Sequence, residues 1–427
     1  MKKITLLLSA AVFICGYLSI NAQSTDTIKN IKRCATVEHI ELQKKSDPTL
    51  ESRIQALEAS TQQWIKNNRD QLENTRTVNT IPIVVHVVGT SVSSSITDAR
   101  IQEQIDVLNR DYAGLNTHSM APFSTSLKAN TEIQFCLAKR DPSGNGTSGI
   151  ERRTTGASTS FTLPTNNMKH YSTGGLDQWS PQKYMNIWVC NLTGGSAGFA
   201  EPPANPLPST FGVVIDYTYF GITGATPPLN GGATTSHELA HCFNLYHIWG
   251  NGSNCSTDYC ADTPPQAAPT TGAPSGTRTD ACSPNPPGIM YMNFMDYTDD
   301  IKMANFTPNQ KTRMKAMFAT GQSLNPLSTS NACTPPAGVE ENENIQNINI
   351  YPSPTSGKVN INFSIINPCD VTVSVHNIIG AEIYSFNKNK ASTVNSDIDI
   401  SSQSSGIYFV KIKTENQVVT QKIILVK

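Results

Sequence analysis

One eleven-residue stretch, HELAHCFNLYH at His237–His247, constrains this chain more than any other. It holds three of the chain's eight histidines, with Glu238 between the first two. In a helix His237 and His241 lie one turn apart on the same face, so both imidazoles can reach one metal ion. Zinc takes neutral imidazole nitrogens at about 2.0–2.1 Å and, in catalytic sites, keeps one position open for water. Glu238 points beside the pair, where a carboxylate can take a proton from water activated by the metal. His247 lies roughly 9 Å beyond His241 along a continuous helix, at about 1.5 Å per residue. That is too far to share an ion, so the helix must break between them. Asn244 sits where the break is needed, and Asn is the best substitute for Gly in left-handed backbone. The spacing predicts a helix over about 233–244, capped by Thr234 or Thr235. The bland alternative is a buried, hydrogen-bonded histidine cluster, which would require neither the breaker nor the third spacing.

At 427 residues the chain is long enough for two or three folded units, and 38% hydrophobic residues suffice for cores. A formal net charge of -1 gives no electrostatic basis for binding nucleic acid or an anionic membrane. Lys2 and Lys3 precede the apolar run ITLLLSAAVFICGYL, which predicts a signal peptide over 1–22, cut after Ala22. Ile14 before Cys15 argues against lipid attachment, and no later apolar run approaches a transmembrane length. Export permits disulfides, and nine cysteines remain after the signal, so at least one is unpaired or paired between molecules. Cys136 and Cys190 fall in expected core strands, where a buried thiol and a disulfide are equally compatible with the sequence.

Residues 23–76 are polar with helical patterning, and Leu50, Ile54, Leu57 and Trp64 share one face. The strand IPIVVHVVG at 81–89 opens a packed domain expected to span 77–330. A helix over Thr97–Asp111 follows, capped by Thr97, with Ile101, Ile105 and Leu108 on its apolar face. Strands at 133–140, 185–192 and 212–217 make this a mixed α/β (α+β) domain. From Trp249 to Pro287 the chain is Gly-, Pro- and Asp-rich and irregular, holding Cys255, Cys260 and Cys282. A helix at 308–321 precedes a Pro-rich, acidic stretch at 331–344 that reads as a linker. Residues 345–427 carry only short strand patterns, predicting a separate all-β sandwich. There are no internal repeats.

Some zinc hydrolases take a third ligand from a downstream Glu, but no Glu occurs between Glu238 and Glu340. The chain instead resembles the metzincin pattern of three histidines followed by a methionine turn, here NFMDYTDD. Within metzincins, residues of roughly 80–320 resemble the smaller bacterial branch of the pappalysin family. The resemblance rests on HELAHCFNLYHIWG, DYCADTPPQ, NFMDYTDD with FTPNQ, IQFCLAKRDPSG and YMNIWVCNL. It implies a metzincin-like catalytic domain in which His237, His241 and His247 bind zinc and Glu238 is the general base. Met295 would floor the site, and Tyr297 would stabilise the tetrahedral intermediate. Asn244 departs from the commoner Gly at the helix break.

The same resemblance implies a disulfide between Cys255 and Cys282, with Cys260 a competing partner. It also implies structural calcium on Asp258, Asp262 and Thr263, which as solvated loop oxygens would be unremarked. Cys34 in KRCATVEHIELQKKSDP resembles a latency cysteine that would fill zinc's open position until 23–76 is removed. Relatives cut before Arg or Lys, so Thr75-Arg76 is the expected processing point and Asp299 with Asp300 the expected acidic pocket. INIYPSPTSGKVNI, GIYFVKIKT and the final QKIILVK resemble a type IX secretion sorting domain. A secreted or surface-attached zinc endopeptidase is therefore expected, exported via the periplasm and acting on protein or peptide substrates. A zinc-binding adhesion protein with a silent metal site is the competing reading.

Overall fold

The computed structural model describes residues 31–74, 77–154, 160–163, 165–252, 255–336, 344–414 and 418–427. The expected signal peptide and the expected processing point at Thr75-Arg76 lie outside these residues. The chain begins with helices α1 (Thr36–Ser46) and α2 (Leu50–Asn74), then strand β1 (Asn79–Val88). Helices α3 (Thr90–Ser95) and α4 (Asp98–Tyr112) precede β2 (Ile133–Leu137), β3 (Ile150–Arg153) and β4 (Phe161–Thr162). Next come β5 (Met185–Cys190), β6 (Leu192–Thr193), β7 (Gly198–Ala200), β8 (Val213–Asp216) and α5 (Ala233–Cys242). Two short strands, β9 (Thr271–Gly272) and β10 (Tyr297–Thr298), flank the irregular region, which ends in α6 (Pro308–Met317) and α7 (Asn325–Ser328).

The principal sheet runs β2-β1-β5-β8-β7, with β3 also paired to β1. All its pairings are parallel except β7 against β8. Parallel strands covered on both faces need continuous apolar runs rather than alternation, and Ile81 through Val88 are all buried, as are all six residues of β5. Helix α4 starts where Thr97 accepts the Arg100 amide, and it buries Ile101, Ile105 and Leu108 in the main core. Helix α6 starts with a capping box between Thr307 and Gln310, with Pro308 in its first turn. Both starts follow from local side-chain chemistry.

Strand β7 is the antiparallel edge, and residues 32–36 lie along it. Lys32 N–H donates to Gly195 O, Ala197 N–H to Lys32 O, and Ala35 N–H to Gly198 O, each at 2.9 Å. Thr36 Oγ1 accepts the Ala200 amide at 2.8 Å. An exposed edge is a template for an added strand, and here the chain's own N-terminal segment occupies it. Gly198 lets β7 pack closely on β8 and α5, because a Cβ there would meet Val214 O at 2.9 Å and the Glu238 side chain at 3.2 Å.

The chain just past the expected boundary at 330 is tied to the principal sheet. Cys136 of β2 is joined to Cys333, and Lys139 N–H donates to Ala332 O. Arg140 further binds the carbonyls of Thr334 and Pro335. Proline content made this stretch read as a linker, yet the disulfide staples it to the sheet. Cys190, left open with Cys136 from the sequence, is a buried free thiol.

The C-terminal region is one curled antiparallel sheet of five strands, with its own core. They are β11 (Ile345–Tyr351), β12 (Lys358–Asn377), β13 (Glu382–Asp399), β14 (Gly406–Lys413) and β15 (Val418–Leu425). The longest strand, β12, spans this sheet, and β13 pairs along both of its halves. The first half of β12 pairs with β11 and its second with β14, with register shifts between Ser364 and Val371. Val359, Ile361, Phe363, Val373 and Val375 alternate into the core on either side of that irregularity.

Candidate metal centre

Helix α5 is buried along its whole length, so its placement depends on how each end is satisfied. Neither Thr234 nor Thr235 caps its start. The N-cap is Gly232 at φ +77°, and no side chain of the cap bonds the first turn. Asp300, 67 residues downstream, accepts the amides of Ala233 at 3.2 Å and Gly231 at 2.7 Å. A buried carboxylate at a helix N-terminus meets both orphan donors and the positive end of the dipole. Thr235 instead donates to Gln104, and Thr234 accepts from Arg33.

The other end breaks at the residue the spacing requires. Asn244 lies at φ +66°. Its amide donates to His241 O and the Leu245 amide reaches back to Ala240 O, both at 3.0 Å. That pair is a Schellman closure, which turns the chain back so that His247 faces the two helical histidines. Replacing Asn244 by Gly is expected to keep metal stoichiometry and thermal stability nearly unchanged. Val in the same position is expected to cost about 1–2 kcal/mol or more, read as a lower melting temperature with weakened metal binding. Equal stability of the two variants would contradict a conformational role for Asn244.

The three imidazoles converge. His237 Nε2 and His247 Nε2 are 3.3 Å apart, and His241 Nε2 and His247 Nε2 3.2 Å apart. Each opposite ring nitrogen already has an acceptor. His237 Nδ1 meets Phe294 O at 2.6 Å, His241 Nδ1 meets Leu245 O at 2.8 Å, and His247 Nδ1 meets Asn251 Oδ1. With the protons on Nδ1, three Nε2 lone pairs converge inside a buried space, a donor set that fits a shared cation. Tetrahedral ligation at zinc–nitrogen lengths separates neighbouring nitrogens by about 3.3 Å, which matches the observed spacing. Burial lowers the pKa of all three histidines, most for His237 and His247 and to about 4 for His241, so the neutral ligand form is favoured.

Cys34 completes the cluster. Its Sγ lies 3.6 Å from His241 Nε2, and all four candidate ligand atoms fall within 4.8 Å of one another. It is the only such group of three or more His, Cys, Asp or Glu among the described residues. Glu238 is at the same point: its Oε2 accepts Thr36 Oγ1–H at 2.9 Å and Cys34 Sγ–H at 3.5 Å, while its Oε1 has no partner. Burial pushes the Glu238 carboxyl up to about 8, against the hydrogen bonds from Thr36 and Cys34 and the nearby Arg33 charge.

Tyr297 Oη is 3.0 Å from His247 Nε2 and 3.4 Å from Cys34 O. Burial raises its pKa, so the phenol keeps its proton as a donor. Met295 is fully buried, and its carbonyl accepts the Ile248 amide while the preceding Phe294 carbonyl orients His237. The turn thus ties the first histidine to the chain just after the third. Trp249 stacks on His247 at 4.4 Å with an interplanar angle of 3°.

Of the two acids expected to form a pocket, only Asp300 is engaged. Arg33, adjacent to Cys34, donates to Asp300 Oδ1 and to Thr298 O, each at 2.6 Å, and both charged side chains are at most 2% exposed. Asp299 makes no ion pair among the described residues. The expected calcium trio is split. Asp258 accepts from Thr263 Oγ1 and the Cys260 amide, whereas Asp262 faces the start of α6, accepting from Thr307 and the Asn309 amide. The loop is closed by Cys255–Cys282, and Cys260 is a buried free thiol. Arg33, Thr36 and Asn251 were not singled out from sequence. Arg33 and Thr36 had one available signal, their place beside Cys34.

Residues 173–319 match the pregnancy-associated plasma protein-A peptidase family, and residues 349–427 match a secretion system C-terminal sorting domain. An extracellular metalloprotease of Pyricularia oryzae is 33% identical over 249 residues, 56% of this chain and 75% of that protein. Mature mirolysin of Tannerella forsythia, solved with a cleaved peptide, is 40% identical with a TM-score of 0.57, over 59% of this chain and 96% of that one. A promirolysin variant from the same organism is 35% identical with a TM-score of 0.59, over 69% of this chain and 96% of that one.

Proposed function

This chain belongs to the pappalysin family of metzincin metalloproteases and carries a type IX secretion sorting domain, and from that membership we propose a zinc endopeptidase made latent by its own N-terminal segment. The observation that supports the metal assignment is the convergence of three Nε2 atoms whose Nδ1 partners are already satisfied. In this reading His237, His241 and His247 hold zinc. The ion supplies Lewis acidity toward a peptide carbonyl and makes water acidic enough to attack near neutral pH.

The chain's own residues do the rest. Glu238 takes the proton of the attacking water through the carboxylate that Thr36 and Cys34 now engage, and delivers it to the leaving amine. Tyr297 donates its hydroxyl hydrogen to the oxygen on which negative charge develops. Asn251, Leu245 and Phe294 hold the imidazoles in the required tautomer. Strand β7 binds substrate backbone along the edge that residues 32–36 now cover.

Residues 1–22 would be the signal peptide, 23–76 the propeptide, 77 to about 335 the catalytic domain and 345–427 the sorting domain. Latency rests on three contacts of the propeptide: Cys34 at the ligand cluster, Thr36 on Glu238, and Arg33 on Asp300. Arg33 is bound as a substrate's basic side chain would be, which supports cleavage before Arg or Lys. Mature protein is expected to cleave a peptide library with Arg or Lys after the scissile bond, to lose that activity on chelation, and to regain it with zinc. Cleavage that survives exhaustive chelation would refute the metal mechanism.

A further inference from the structure

At the end of α5 opposite to Asp300 lies a buried cation that the mechanism does not use. Arg313 of α6 is about 1% exposed. Its guanidinium donates through Nη1 and Nη2 to both carboxylate oxygens of Glu58, at 2.9 and 2.8 Å. It also holds Asn244 O at 3.0 Å, and the Tyr259 and Tyr246 rings lie 5.1 and 5.6 Å from its central carbon. Glu58 belongs to α2, inside the segment that the proposed function releases. Every other group on Arg313 named here belongs to the catalytic region and stays.

A cavity of about 590 Å³ reaches from the metal centre to Glu58 and the two tyrosines that flank Arg313. Its catalytic-side wall runs from Pro202 and His241 past Leu245, Tyr246 and Asn251 to Tyr259, and Glu58 stands on its propeptide side. Once α2 leaves, Arg313 keeps its charge and its two aromatic neighbours but loses its carboxylate. Asp258 makes no ion pair with Arg313 among the described residues, its oxygens accepting from Thr263 and the Cys260 amide. A planar, bidentate guanidinium flanked by tyrosines recognises a carboxylate.

We propose that Arg313, with Tyr246 and Tyr259, forms a substrate subsite for an acidic side chain, which Glu58 fills in the latent protein. The subsite rests on the peptidase reading above. It gives the cleft two poles of opposite sign: Asp300 bonds the first amide of α5, and Arg313 the carbonyl just past its end. The ten residues of α5 lie between these points, roughly 15 Å at about 1.5 Å per residue. An extended substrate covers that in about five residues at roughly 3.3 Å each. The preferred substrates therefore carry Glu or Asp about four to six residues from the basic residue that enters the Asp300 pocket.

The test uses mature wild-type enzyme and peptides that share one cleaved bond and differ only by Glu or Gln at single positions across the cleft. One position within that window is expected to favour Glu roughly tenfold in kcat/KM, with the preference shrinking as salt rises. Arg313→Gln is expected to bring that ratio to about one, and Arg313→Lys to retain part of it. Equal rates for Glu and Gln at every position, in an enzyme that cleaves both peptides, would overturn the subsite alone. No cleavage of any peptide would overturn the peptidase reading and the subsite with it.

Discussion

Glu238→Gln is expected to lower kcat on a peptide substrate by roughly 10²- to 10⁴-fold, the range for losing a positioned general base. Zinc content should remain one per chain, because the three histidine nitrogens and their acceptors do not involve this side chain. The amide is nearly isosteric, so packing against Gly198 and the bond from Thr36 are retained. What is lost is basicity. The Glu238 Oε2 lies 3.5 Å from Cys34 Sγ, the fourth member of the cluster, and its Oε1 has no hydrogen-bond partner. Metal analysis and steady-state kinetics on the same preparation separate the outcomes. Full turnover with bound zinc would remove Glu238 from the mechanism. Loss of zinc along with activity would make it a structural residue. A silent adhesion site, the rival reading, predicts no turnover in the parent protein either.

The second large effect is expected at the propeptide. Arg33→Ala leaves Asp300 in a space where its side chain is 1% exposed, still accepting two amides but with no cation beside it. Breaking a buried pair by removing one partner costs about 3–5 kcal/mol, which weakens docking by roughly 10²- to 10⁴-fold. Cys34→Ala removes the fourth donor of the cluster and the Sγ–H bond to Glu238. Both variants are expected to show peptidase activity before any cleavage of the chain and to process themselves faster than the parent. Activity of freshly purified full-length protein, followed with time by mass spectrometry, reads this directly. A Cys34→Ala chain as silent as the parent would show that Arg33, Thr36 and the β7 pairing hold latency without the thiol.

Two features of the site were legible in a window of eleven residues. The first is the pairing of His237 with His241, set by helical periodicity. The second is the break at Asn244, set by a backbone preference that belongs to the residue type, and the observed φ of +66° is that preference expressed. The caps of α4 by Thr97 and the run of buried β1 residues were legible for the same reason. The cap of α5 was not. Thr234 and Thr235 satisfy the local rule, but the helix start is buried against a loop carrying Asp300, and a carboxylate there meets two amides and Arg33 together.

The chain's own order of residues determined that three histidines would converge, that the helix carrying two of them would stop before Asn244, and that a β domain would follow the α/β region. Those features rest on periodicity and backbone preference, which act over a few residues. Packing alone decided that Arg33 meets Asp300, that Cys136 reaches Cys333, and that Glu58 meets Arg313 at a separation of 255 positions. Burial makes an unpaired charge costly wherever it stands in the chain, so partners are selected by which groups are desolvated together. Sequence spacing carries no record of that until the fold brings them into contact.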